Sequence, residues 1–155
     1  MALCSQREYC TGDIRAKLRS WSVGEPDSEK IINELIREKF IDEKRYAEAF
    51  VKDKFRYNKW GIIKIRAELK MKGIPGGITD QAISTIDKEH YRNALEELLL
   101  AHRRSIKAKN QYDLKGKLLR YGLSKGYESS LLYEIISRKF KDIDQEGHES
   151  CEEEQ

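Results

Sequence analysis

The chain has 155 residues, of which 39% are hydrophobic and 37% charged, so it has the material for one compact domain or an array of small units, but not for a single large core. The longest apolar stretch near either end is Met1-Ala2-Leu3-Cys4 and no run approaches the roughly 18 residues of a membrane span, so neither a signal peptide nor a membrane segment is expected and the cytoplasm is the expected location. The net charge of +3 hides a division: residues 141–155 hold one lysine against seven acids, a net of −6, which leaves +9 on residues 1–140. A basic body suits an anionic partner, and the acidic tail 141–155 is expected to be disordered.

With only 10 glycines and 2 prolines, little is available for β-turns, and runs of Glu, Lys, Arg, Leu and Ala favour helix. Apolar residues at three- and four-residue spacing predict helices over 13–21, 28–39, 43–58, 62–72, 79–87, 89–105, 113–121 and 128–139. A short further helix is expected before residue 9. Asp42 is placed to cap the helix starting at Glu43, with Ile41 and Tyr46 as a hydrophobic staple. Gly61 and Gly73 mark breaks around the next helix, and Pro75-Gly76-Gly77 is expected to be a flexible join.

Self-comparison shows a repeated template. With Leu18, Leu69 and Leu118 in register, Ile14, Ile65 and Leu114 fall four residues earlier, and the small residues Ala16, Ala67 and Gly116 fall two earlier. Ile32, Ile83 and Leu132 fall fourteen later, and Leu35, Ile86 and Ile135 seventeen later. The expected fold is therefore all-α: three tandem three-helix repeats forming an elongated, curved array. Repeat 1 covers 1–41 with a short first helix, repeat 2 covers 42–88 and repeat 3 covers 89–140.

The template places Arg15, Arg66 and Lys115 at one point of each unit, with Arg19 and Lys70 four residues on, where Leu119 interrupts the pattern. Residues 52–72 carry a net +6 and residues 102–126 a net +7, interleaved with Phe55, Tyr57, Trp60, Tyr112 and Tyr121. Cations neutralise phosphates and aromatic faces stack on unpaired bases. The candidate partner- or DNA-binding residues are Arg15, Arg19, Lys54, Arg56, Lys59, Lys64, Arg66, Lys70, Lys72, Lys115, Lys117 and Arg120. Tyr57 and Trp60 are weaker candidates.

Catalysis has little support. His90, His102 and His148 lie near no nucleophile pattern, and there is no Gly-rich phosphate loop or H-E-x-x-H. Cys4, Cys10 and Cys151 cannot all pair and lack metal-ligand spacing, so reduced thiols are expected. No enzyme activity, cofactor or metal is expected.

The stretch Phe40-Ile41-Asp42-Glu43-Lys44-Arg45-Tyr46-Ala47-Glu48-Ala49-Phe50-Val51, then Gly61, Ile65-Arg66-Ala67-Glu68-Leu69 and Lys72-Gly73-Ile74, resembles the bacterial RecX family. The resemblance covers most of residues 11–90, and the last unit only through the template. It implies an all-helical array of three three-helix repeats and a regulator that binds the RecA recombinase on single-stranded DNA. Such a regulator damps RecA's ATPase and strand exchange, in DNA repair, recombination and the SOS response. Direct contact with single-stranded DNA and a monomeric state are expected. The alternative is a stand-alone basic helical module that binds nucleic acid.

Overall fold

The structure is a computed structural model that describes residues 7–141, and among them eight helices and no strand are found. The expected acidic tail beyond Lys141 lies outside the described residues. Most of the short helix expected before residue 9 does too, and Arg7–Cys10 is not helical.

Several helices begin where the sequence supplies a start. Helix α1, Thr11–Ser20, is capped by Cys10, whose Sγ accepts from the Asp13 amide while Asp13 reaches back to the Cys10 amide. Helix α2, Glu25–Arg37, starts three residues earlier than expected, because Pro26 in its first turn needs no donor there. Helix α3, Glu43–Arg56, has Asp42 as its cap, accepting from the Arg45 amide at 3.1 Å. Helix α4 is Ile62–Met71. Helix α5, Gly76–Ser84, includes the glycines expected to be a flexible join; Pro75 is its cap and the glycines form its first turn. Helix α6 is Lys88–Arg103 and α8 is Ser129–Lys139. Helix α7, Gln111–Ser124, is longer than expected at both ends, capped by Asn110 and uninterrupted by Gly116 or Gly122.

The described residues divide into two compact units. One comprises the described chain up to Asn58 together with Lys64–Asp87. In it, Tyr9, Ile14, Leu18, Ile32, Leu35 and Ile41 form a buried cluster, with Val23 and Phe40 packed against it. Helix α1 also meets the turn after α4: the Lys72 ammonium lies 2.9 Å from Asp13 Oδ1, and the Cys10 thiol lies 4.0 Å from the Lys72 carbonyl. Burial pushes the Cys10 thiol up, which keeps it as S–H and able to donate. A Cβ on Gly12 would stand 2.6 Å from the Lys72 carbonyl oxygen, so only glycine fits that approach.

The other unit comprises Lys59–Ile63 with the described chain from Lys88 onward. Leu95, Leu99, Leu118, Tyr127, Leu132 and Ile135 are its most buried large side chains. The segment Lys59–Ile63 lies against the α7–α8 turn. The Gly61 amide donates to the Lys125 carbonyl at 2.7 Å and the Ile63 amide to the Gly126 carbonyl at 3.0 Å. The Ile62 amide donates to the Tyr91 hydroxyl at 3.1 Å, which in turn donates to Glu128 at 2.7 Å. Burial above all pushes the Tyr91 phenol up, so it remains a donor to that carboxylate.

The turn between α1 and α2 recurs between α4 and α5 and between α7 and α8, and it corrects the expected register. Ser22, Gly73 and Gly126 have φ of 59°, 79° and 90°, each in the left-handed region. The residue after each donates to a carbonyl five residues back: Val23 to Leu18, Ile74 to Leu69 and Tyr127 to Gly122. The structural partner of Leu18 and Leu69 is therefore Gly122, not Leu118, which matches Ile14 and Ile65. The expected third register is off by four residues, a slip that keeps every position on the same helix face. Side-chain size is exchanged at the same place. Leu18 and Leu69 belong with the small buried Ser28 and Thr79, whereas Gly122 belongs with Leu132. A Cβ on Gly122 would come 2.2 Å from Leu132 Cδ2.

Candidate functional site

The twelve candidate cations fall into two groups. Arg15 pairs with Glu29 at 2.7 Å, and Arg66 pairs with Asp80, each joining the helices on either side of the recurring turn. Both acids stand at the same place in the register, six residues after Val23 or Ile74, so the two pairs are copies of one clasp. Lys72 is held by Asp13 and lies 5.9 Å from the Tyr46 ring centroid. Burial opposes the charge of both members, but the hydrogen bond wins: Asp13 is held below the usual carboxylate range and Lys72 is raised. Lys117 pairs with Asp113 at 2.9 Å and donates to the Lys107 carbonyl at 2.6 Å, tying the α6–α7 loop to α7. These four cations hold helices and loops together.

The others are placed differently. Lys54 lies over the Phe50 ring and Arg56 over Tyr57, while Lys64 is half-buried. Arg19, Lys59, Lys70, Lys115 and Arg120 have no acidic partner among the described residues; all are exposed except the half-buried Lys115. Lys115 is not the counterpart of Arg15 and Arg66, because Leu119 holds that place in the corrected register. Tyr57 is exposed, whereas Trp60 is half-buried.

Sequence reasoning passed over Arg104, Lys107 and Lys109, all exposed in the α6–α7 loop. The +7 of residues 102–126 was their signal, but a helix-based template has no place for loop residues. No group of three or more His, Cys, Asp or Glu that could hold a metal occurs among the described residues. No helix among them is long and apolar enough to cross a membrane. What the surface offers is charge for contact.

Residues 42–83 match the family model described as RecX, second three-helix domain. The chain is 36% identical over 135 residues to the regulatory protein RecX of Clostridium acetobutylicum, covering 84% of this chain and 62% of that one. It is 32% identical over 128 residues to the regulatory protein RecX of Clostridium beijerinckii, covering 81% and 59%. The chain thus spans about three-fifths of the length of these curated relatives. Among solved structures, RecX from Lactobacillus salivarius superposes with a TM-score of 0.73 at 26% identity, covering 88% of each chain. A second crystal structure of a regulatory protein RecX gives 0.80 at 26% identity, covering 88% of this chain and 66% of that one. Motif, sequence and fold agree, and the chain belongs to the RecX family.

Proposed function

We propose that this chain is a non-enzymatic cytoplasmic regulator that binds RecA–single-stranded DNA filaments as a monomer and restrains their ATPase, strand exchange and growth. The observation that carries this reading is the match to regulatory proteins RecX across more than four-fifths of the chain. The recurring turn supports a division into three tandem units, 1–41, 42–88 and 89–140. The cations without acidic partners support contact with phosphate: Arg19, Lys59, Lys70, Lys115 and Arg120, joined by Arg104, Lys107 and Lys109. Arg15, Arg66, Lys72 and Lys117 serve the fold first.

Titrating the protein into RecA's DNA-dependent ATPase tests the proposal. Inhibition is expected, and it should weaken severalfold when Lys70 and Lys115 are both changed to Glu, with helical content intact. An ATPase unaffected over a wide concentration range would overturn it.

A further inference from the structure

Three positions change character together in the last unit. Where α1 and α4 carry Arg15 and Arg66, α7 carries Leu119; where they carry Arg19 and Lys70, it carries Leu123. Where α2 and α5 answer with Glu29 and Asp80, α8 carries Tyr133. The clasp is replaced by apolar side chains, two of them well exposed: Leu123 is 44% exposed and Tyr133 58%, while Leu119 is half-buried. Tyr112, 88% exposed, extends the row, because residues 112, 116, 119 and 123 recur along one side of α7. A single exposed leucine needs no explanation, but an aligned row of apolar side chains marks a contact surface. Lys115 and Arg120 flank the row, one on each side of it, without acidic partners among the described residues.

We propose that the α7–α8 ridge of Tyr112, Leu119, Leu123 and Tyr133 is a protein-docking face, and that it takes an acidic segment with exposed apolar side chains on the recombinase partner. This rests on the reading of the chain as a RecA regulator. Charge selects the occupant. A second copy would set Lys115 and Arg120 against their own kind. A bare nucleic-acid strand would find leucines at the two places where α1 and α4 hold cations, so phosphate binding is weakest where the ridge is best formed. An acidic segment with apolar side chains matches both the row and its rim.

The test is the triple change Leu119→Arg, Leu123→Lys and Tyr133→Glu. It rewrites the ridge in the chemistry of α1–α2 and α4–α5 and leaves the buried cores alone, as circular dichroism and a thermal melt will check. Tyr112→Ser with Leu123→Ser, both at exposed positions, gives a second reading without adding charge. The concentration needed for half-inhibition of RecA's ATPase should rise at least tenfold for each variant. Affinity for a fluorescent oligo-dT, read by anisotropy, should hold or increase. Inhibition equal to wild type overturns the docking face alone. A parallel loss of oligo-dT affinity overturns it in favour of nucleic acid, and a wild-type dimer that the substitutions dissociate overturns it in favour of self-association. A wild-type protein without effect on the ATPase instead removes the regulator reading, and the docking face with it.

Discussion

Replacing Gly61 by alanine places a methyl group where the α7–α8 turn already lies. The added Cβ would stand 2.3 Å from the Gly126 carbonyl oxygen, 2.4 Å from its carbon and 2.5 Å from the Tyr127 nitrogen. Ordinary contact is roughly 3.5 Å, so one backbone must retreat by about 1 Å, and no rotamer change can relieve backbone atoms. That retreat breaks the Gly61-to-Lys125 and Ile63-to-Gly126 hydrogen bonds, of 2.7 and 3.0 Å. Each contributes about 1 kcal/mol, and the stranded amides add to the loss, for a total of about 3 kcal/mol. Against a typical folding stability of 5–15 kcal/mol, that is a large fraction. For a chain of this size the melting temperature should fall by roughly 6–12 °C in a circular dichroism melt. The control is Gly116→Ala, in the interior of α7 with nothing within 4 Å of the new Cβ, which should instead stabilise by about 0.5–1 kcal/mol. A Gly61→Ala protein that melts within about 2 °C of wild type would refute the close approach as a structural requirement.

The Asp13–Lys72 pair gives a pH signature. Asp13→Asn should cost about 1 kcal/mol at neutral pH through the weakened cap and the lost pair. Burial works against the Asp13 charge but Lys72 outweighs it, so the carboxyl titrates below its ordinary value. The margin of wild type over variant is therefore full above about pH 4 and shrinks as the pH falls through the lowered folded value. Urea denaturation between pH 7 and pH 2 measures it, and a constant margin would refute the linkage. Gly122→Ala, with its Cβ 2.2 Å from Leu132 Cδ2, should destabilise by about 1–3 kcal/mol. Leu132→Ala should cost about 2–5 kcal/mol, and the double variant should lose at least about 0.5 kcal/mol less than the sum. Strict additivity would show that the two side chains do not share one space.

Much of the fold is legible in the sequence because amphipathic spacing is local. The eight expected helices are present, with the Asp42 cap in place, and three-residue boundary shifts come where Pro26 sits in a first turn, where Pro75-Gly76-Gly77 opens a helix and where Gly122 stays inside one. The third register is hidden from the sequence for a physical reason. A shift of four residues preserves the helical face, and the decisive position holds glycine because Leu132 supplies the bulk from the neighbouring helix. The site was less legible. Arg15 and Arg66 look like free cations until the fold brings Glu29 and Asp80, fourteen residues later, across the turn. The apolar ridge is hidden for the same cause, since the four-residue slip puts Lys115 in the place of Leu119.

The contact of a helix start with a much later turn bears on how the chain matures as it is made. The Cys10 thiol meets a carbonyl 62 residues further along, and Gly61 waits for Lys125 over a similar interval. At 5–20 residues per second a ribosome takes roughly 3–12 s to supply each missing turn. During that interval the first residues of α1, and then of α4, have their local helical bonds but not their seats. Each stretch of about fifty residues thus emerges before the piece that locks it, and synthesis of the last turn closes the α4 start.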